Sequence, residues 1–174
     1  MVKLSKINID FDCNKATPYF QVGSEQRIRF GMDNLNITLI TKIVGDVFKE
    51  DDNISVIFLS ENIFKDKRYS SKANIGNIIK IKNWHEIVVK DESSREGVVY
   101  ANINDLIRND IIKYCTKIYQ GHNEAYISFY NDKSLLYVNS DVIDIILKDV
   151  GKIADLKQKY SIQFDEYYDN GDPF

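Results

Sequence analysis

The chain has 174 residues, 44% hydrophobic and 28% charged, with two cysteines, two prolines and a formal net charge of −3. That composition describes one α+β-sized globular domain over 1–174, with a core of its own. It argues against a disulfide framework, a low-complexity segment or a nucleic-acid-binding surface, which would make the domain basic. No apolar run reaches the roughly 18 residues of a membrane span, and Asp10 and Asp12 interrupt any early signal-like stretch. The expectation is a cytoplasmic protein with no membrane partner and two reduced thiols, Cys13 and Cys115.

Ile7, Ile9 and Phe11 alternate with Asn8, Asp10 and Asp12, the period of a half-buried strand. Arg27–Phe30 reads as a second strand closed by Gly31. Asp33 or Asn34 is then placed to cap a helix carrying Leu39, Ile40, Ile43, Val44, Val47 and Phe48 on one face. Ile54–Leu59 is an apolar run of strand length. Residues 61–82 carry six basic groups against two acids and are expected to be an irregular, mobile basic loop. Glu86–Lys90 and Gly97–Ala101 read as strands around a polar turn. Asn104 is a fair cap for a helix reaching Gln120, with Gly121 as its stop. Glu124–Tyr130 and Leu135–Asn139 flank Asn131-Asp132-Lys133-Ser134, the clearest hairpin signal in the chain. Ser140 is expected to cap a helix over Val142–Leu147, and a last short helix over about 151–160 leads into the C-terminal tail. Hairpins mixed with separated helices indicate an α+β fold with a mixed or antiparallel sheet.

Motifs for chemistry are sparse. Asp10-Phe11-Asp12-Cys13-Asn14 begins like a calcium loop, but Lys15 stands where the turn needs Gly and Gln21 where a bidentate Glu belongs. The potential zinc ligands, Cys13, Cys115, His85 and His122, have no paired spacing. Cys115 and His122 are too loosely related for a nucleophilic dyad, and no glycine-rich phosphate loop or serine elbow occurs. The expectation is a protein without catalytic residues, metal or cofactor.

Two regions carry a different signal. The tail 161–174 holds Asp165, Glu166, Asp169 and Asp172 with no Lys or Arg, interleaved with Phe164, Tyr167, Tyr168 and Phe174. Carboxylates beside rings suit a basic protein partner, the rings giving contact area and the acids pairing with Lys or Arg. In the hairpin, Tyr126, Ser128 and Tyr130 share one strand face while Ala125, Ile127 and Phe129 share the other. The first face is either an aromatic contact surface or a core with hydroxyls at its rim. Asp165, Glu166, Tyr167, Tyr168 and Asp169, with Tyr130 and Asp132 of the hairpin, are the candidate partner-binding residues.

Ile28-Arg29-Phe30 before a helix, and the hairpin running through Tyr137-Val138-Asn139-Ser140 into Asp141-Val142-Ile143, resemble a family of bacterial domains of unassigned function. Members of that family carry an Arg-Phe strand near the N-terminus and a Tyr-Asp-Asp-Arg-Gly strand followed by Asp-Val-Ile. This chain reads Tyr-Val-Asn-Ser at the second motif. At the level of class it is also similar to the immunity proteins of bacterial toxin systems, small acidic α+β proteins that plug a toxin's active site. That resemblance implies a cognate toxin domain, such as a nuclease, as the partner. The alternative is a small enzyme or ligand-binding protein holding a phosphate through Arg27, Arg29 or the basic loop.

Overall fold

A computed structural model describes residues 1–169. Asp172 and Phe174 of the predicted tail lie outside the described residues. Ten strands and three helices follow one another as β1 (Val2–Leu4), β2 (Ile9–Phe11), β3 (Arg27–Gly31), α1 (Ile37–Val47), β4 (Ile54–Phe64), β5 (Lys67–Ser70), β6 (Trp84–Asp91), β7 (Glu96–Leu106), α2 (Arg108–Tyr119), β8 (Ile127–Tyr130), β9 (Ser134–Val138), β10 (Val142–Leu147) and α3 (Val150–Lys159). The fold is α+β, as the mixture of hairpins and separated helices predicts.

Eight strands make one antiparallel sheet in the order β3-β10-β9-β8-β4-β7-β6, with β5 added beside β4. Helices cover one face and the β1–β2 ribbon covers the other. Ile28, Phe30, Val56, Phe58, Ile127, Phe129, Ile143 and Ile145 meet the helices. Ile57, Tyr100, Leu135, Tyr137 and Ile146 meet Leu4, Ile9 and Phe11 of the ribbon. Each fully buried aliphatic or aromatic side chain contributes about 1.5–3 kcal/mol. The alternation read in the hairpin holds: Ala125, Ile127 and Phe129 face the helices, while Tyr126 and Tyr130 pack toward the ribbon. No helix among the described residues is long and apolar enough to cross a membrane.

Several local expectations give way. Residues 142–147 form strand β10, not a helix: the run pairs with β3 on one side and β9 on the other, and both its faces are buried, one against the helices and the other against β-ribbon side chains and an ion pair. A strand covered on both sides loses its alternation and cannot be told from a buried helix by period alone. Ser140 belongs to the preceding turn, where the Asn139 carboxamide accepts from the Asp141 and Val142 amides at 2.9 and 2.8 Å. Asn104 lies in β7, and α2 starts only after Ile107, whose amide donates to the Asp110 carboxylate at 3.2 Å. The cap of α1 is Asn36, not Asp33 or Asn34; its carboxamide oxygen accepts from the Leu39 amide at 2.9 Å. The stretch 61–82 is not irregular throughout: it completes β4, turns through Lys65 and Asp66 in left-handed conformations, and forms β5. Ala73, Ile75 and Ile79 then anchor it in the core.

Candidate functional site

Four segments converge at one end of the sheet because β4 and β7 pair there, Ile54 opposite Leu106, while β8 pairs Tyr130 with Ser55. Asp52 and Asn53 precede β4, Asn104 and Asp105 close β7, and Asn131 and Asp132 turn from β8 to β9. Lys6, between β1 and β2, forms the remaining wall. Together they line a cleft of about 570 Å³. A second groove of about 310 Å³ shares Lys6, Ser55, Asn104 and Tyr130 and continues along β1.

The cleft walls are fixed by side-chain amides. Asp105 adopts φ 60°, a left-handed conformation that Asp and Asn tolerate better than most residues. Its carboxylate accepts from Asn83 at 2.9 Å and from Asn53 at 3.4 Å. Asp52 accepts from the Lys49 amide at 2.9 Å and the Asn131 carboxamide at 3.4 Å. Ser55 donates to Asn104 at 2.8 Å, and the Tyr130 hydroxyl accepts from Asn102 at 3.1 Å. Burial pushes the Tyr130 phenol above its ordinary range, with the Asn102 bond opposing it, so this ring acts as a neutral hydrogen-bonding wall. Asp52, Asp105 and Asp132 thus face one ammonium, Lys6, and none of the three forms an ion pair among the described residues. Like charge gathered in a concavity focuses its field outward. No cluster of His, Cys, Asp or Glu able to hold a metal ion occurs among the described residues.

The tail is placed differently. Phe164 forms a bridge with Phe30 of edge strand β3, and the Asp165 amide donates to the Arg29 carbonyl at 2.8 Å. Tyr168 packs edge-on against Phe20 at 5.5 Å, and its carbonyl accepts from Arg27 at 3.0 Å. Asp169 pairs with Lys157 at 2.6 Å. The Asp165 carboxylate accepts from the Tyr167 amide at 2.9 Å, leaving Glu166 and Tyr167 exposed, the latter at 81%. Of the seven candidate partner-binding residues, Tyr130 and Asp132 reach the cleft. Phe164, Tyr168 and Asp169 clasp the tail to its own domain.

Beneath that clasp lie the arginines considered for phosphate. Arg29 makes a two-pronged ion pair with the fully buried Asp144, at 2.6 and 2.8 Å, and stacks over Tyr19 at 4.2 Å. Arg27 donates to the carbonyls of Tyr19 and Val22 at 3.2 and 3.0 Å and lies 4.5 Å over the same ring. Burial raises the Tyr19 phenol to about 12 despite Arg27 nearby. In the basic stretch, Arg68 pairs with Glu86 at 2.9 Å and Glu61 at 3.4 Å.

Sequence reasoning missed Asp52, Asp105, Asn104 and Lys6. The available signal was two stretches rich in Asn and Asp, 51–53 and 102–105, at the ends of neighbouring antiparallel strands, which the pairing brings side by side. Cys13 and Cys115 are free, as expected. Burial pushes the Cys115 thiol to about 12, so it packs as a small hydrophobe. Compared with protein-family models, curated proteins and solved structures, the chain matches none.

Proposed function

We propose that this protein works by binding a basic segment of a partner protein in the cleft between the β8–β9 turn and the ends of β4 and β7. One observation carries the reading: three carboxylates against a single ammonium, Lys6, converge on one cleft beside Tyr130, and none of the three forms an ion pair among the described residues. An incoming Lys or Arg would find carboxylates, amide oxygens and an aromatic face together, the combination that desolvated cationic anchors need. The biological role we infer is that of an immunity protein, which occupies the basic substrate groove of a cognate toxin domain such as a nuclease. Arg27, Arg29 and Arg68 are engaged with internal acceptors, which favours this reading over a phosphate-binding enzyme.

The test compares capture of partners from an extract of the source organism by the wild-type chain and by the Asp52→Asn, Asp105→Asn, Asp132→Asn variant. The expected result is one stoichiometric partner, released by salt and lost from the variant, whose purified toxin activity the wild-type chain abolishes. Equal capture by the variant would refute the cleft assignment, and a captured protein without toxic activity would refute the immunity role.

A further inference from the structure

The two edges of the sheet are finished unequally. At β3 the tail adds a bridge across the outer side. At β6 no further strand follows among the described residues, and the eight-residue pairing of β6 with β7 runs from Trp84 to Asp91 without a register shift. No proline or bulge interrupts the strand. Val88 and Trp84 remain 48% and 45% exposed on it. An uninterrupted edge of this kind, free of proline and bulge and with Val88 at its middle exposed, is a template for another strand.

The hydrogen-bond phase of that edge can be followed from the interior. The Leu59 amide donates to the Tyr126 carbonyl directly opposite, at 2.9 Å, so Leu59, Ile57 and Ser55 turn their peptide groups toward β8. Alternation then turns Val56 and Phe58 toward β7, where they oppose Ile103 and Ala101. The intervening residues Asn102 and Tyr100 bond to His85 and Ile87 of β6. Glu86, Val88 and Lys90 are therefore left with N–H and C=O pointing outward.

We propose that β6 pairs antiparallel with β6 of a second copy about a two-fold axis at Val88, continuing the sheet across the two chains. In this register Val88 opposes Val88, Glu86 opposes Lys90, Ile87 opposes Val89 and His85 opposes Asp91. These four pairs set apolar against apolar or a carboxylate against an ammonium or imidazole side chain, Trp84 falls opposite Glu92 just past the strand end, and the outward peptide groups meet in phase. The two neighbouring registers that keep the phase are poorer. Centring on Ile87 sets Glu86 against Val88, and centring on Val89 sets Glu86 against Glu92. Within each chain Glu86 already pairs with Arg68 and Lys90 with Asp66, both at 2.9 Å. The second copy joins these into a continuous row from Arg68 through Glu86 and the other Lys90 to its Asp66. A two-fold interface of this kind is self-complementary by construction.

Sedimentation of the full chain over a range of concentrations tests this. The wild type should dimerise. Val88→Pro, which removes an outward N–H not used inside the chain, should raise the dimer dissociation constant about a hundredfold with unchanged circular dichroism. Val88→Cys should form an intermolecular disulfide on mild oxidation, because directly opposed residues lie within disulfide reach. Val89→Cys, which opposes Ile87, should not. A wild type that stays monomeric, a dimer indifferent to Val88→Pro, or cross-linking through Val89→Cys instead of Val88→Cys would overturn the proposal.

Discussion

Two regions of this molecule share a composition of acids and aromatic rings yet end in opposite situations. In the tail the charges and rings are used internally: Asp169 meets Lys157, Tyr168 covers Phe20, and the Asp165 amide extends the β3 edge. In the cleft, Asp52, Asp105 and Asp132 have amide or solvent neighbours, share a single ammonium, Lys6, in the wall, and form no ion pair among the described residues. An acidic aromatic segment is thus an ambiguous signal until its counter-charges are located. Where the chain supplies them, the segment is architecture; where it does not, a partner is the remaining source. Removing charge from the first region should cost stability, and removing it from the second should cost binding.

The largest effect is expected beneath the tail. Arg29→Ala leaves Asp144 buried without its guanidinium, and should lower unfolding free energy by about 3–5 kcal/mol in urea titration. The double variant Arg29→Met, Asp144→Leu should be far less damaged, since the pair's desolvation is removed with its attraction. Truncation after Gln163 removes Phe164, the edge bond of Asp165 and the Tyr168 packing. It should cost about 3 kcal/mol, read as a lower denaturant midpoint, if the clasp is structural.

The alkaline limb of stability reports Tyr19 beneath the tail together with buried groups of the core. Tyr19 and Tyr137 titrate near 10.0 when unfolded and at about 12 when folded, chiefly through burial. Between those values the folded chain holds more protons than the unfolded one, so the contribution of these two rings is intact below pH 10 and is lost as pH rises toward 12. The slope is about 1.4 kcal/mol per pH unit for each group. Cys115, held at about 12 against an ordinary 9.0, acts in the same direction and begins earlier. Urea midpoints measured from pH 8 to 11.5 should decline accordingly; a flat profile would place these rings in water. At the small end, Asp169→Asn should cost about 1 kcal/mol through loss of the half-shielded Lys157 pair, while Asp132→Asn should change stability by less than about 0.5 kcal/mol.

Legibility in the sequence follows the same division. The face of α1 was readable because its other side is wet, which leaves a period in the residues. Strand β3 and the β8–β9 hairpin are buried on both faces, and were readable from Arg alternating with Ile and Phe in the one and from the Asn131–Ser134 turn signal in the other. Strand β10 was not, because Asp144 is its one strongly polar residue and is itself buried against Arg29, so no face is marked as wet. Strand β5 carries only exposed residues and is a strand through its bonds to β4, a cause absent from its own side chains. The cleft was legible only at Tyr130 and Asp132, which lie next to a strong turn signal. Asp52 and Asp105 look like ordinary turn residues along the chain and acquire their meaning from the pairing of β4 with β7.

The most direct measurement is binding of the captured partner to three purified chains by calorimetry: the wild type, the cleft variant Asp52→Asn, Asp105→Asn, Asp132→Asn, and the tail variant Glu166→Gln, Tyr167→Ala. The account predicts affinity kept in the tail variant and lost at least about tenfold in the cleft variant, with all three equally folded. Affinity lost with the tail and kept with the cleft would contradict it, and would return the exposed tip of the tail, Glu166 and Tyr167, to the role of contact surface.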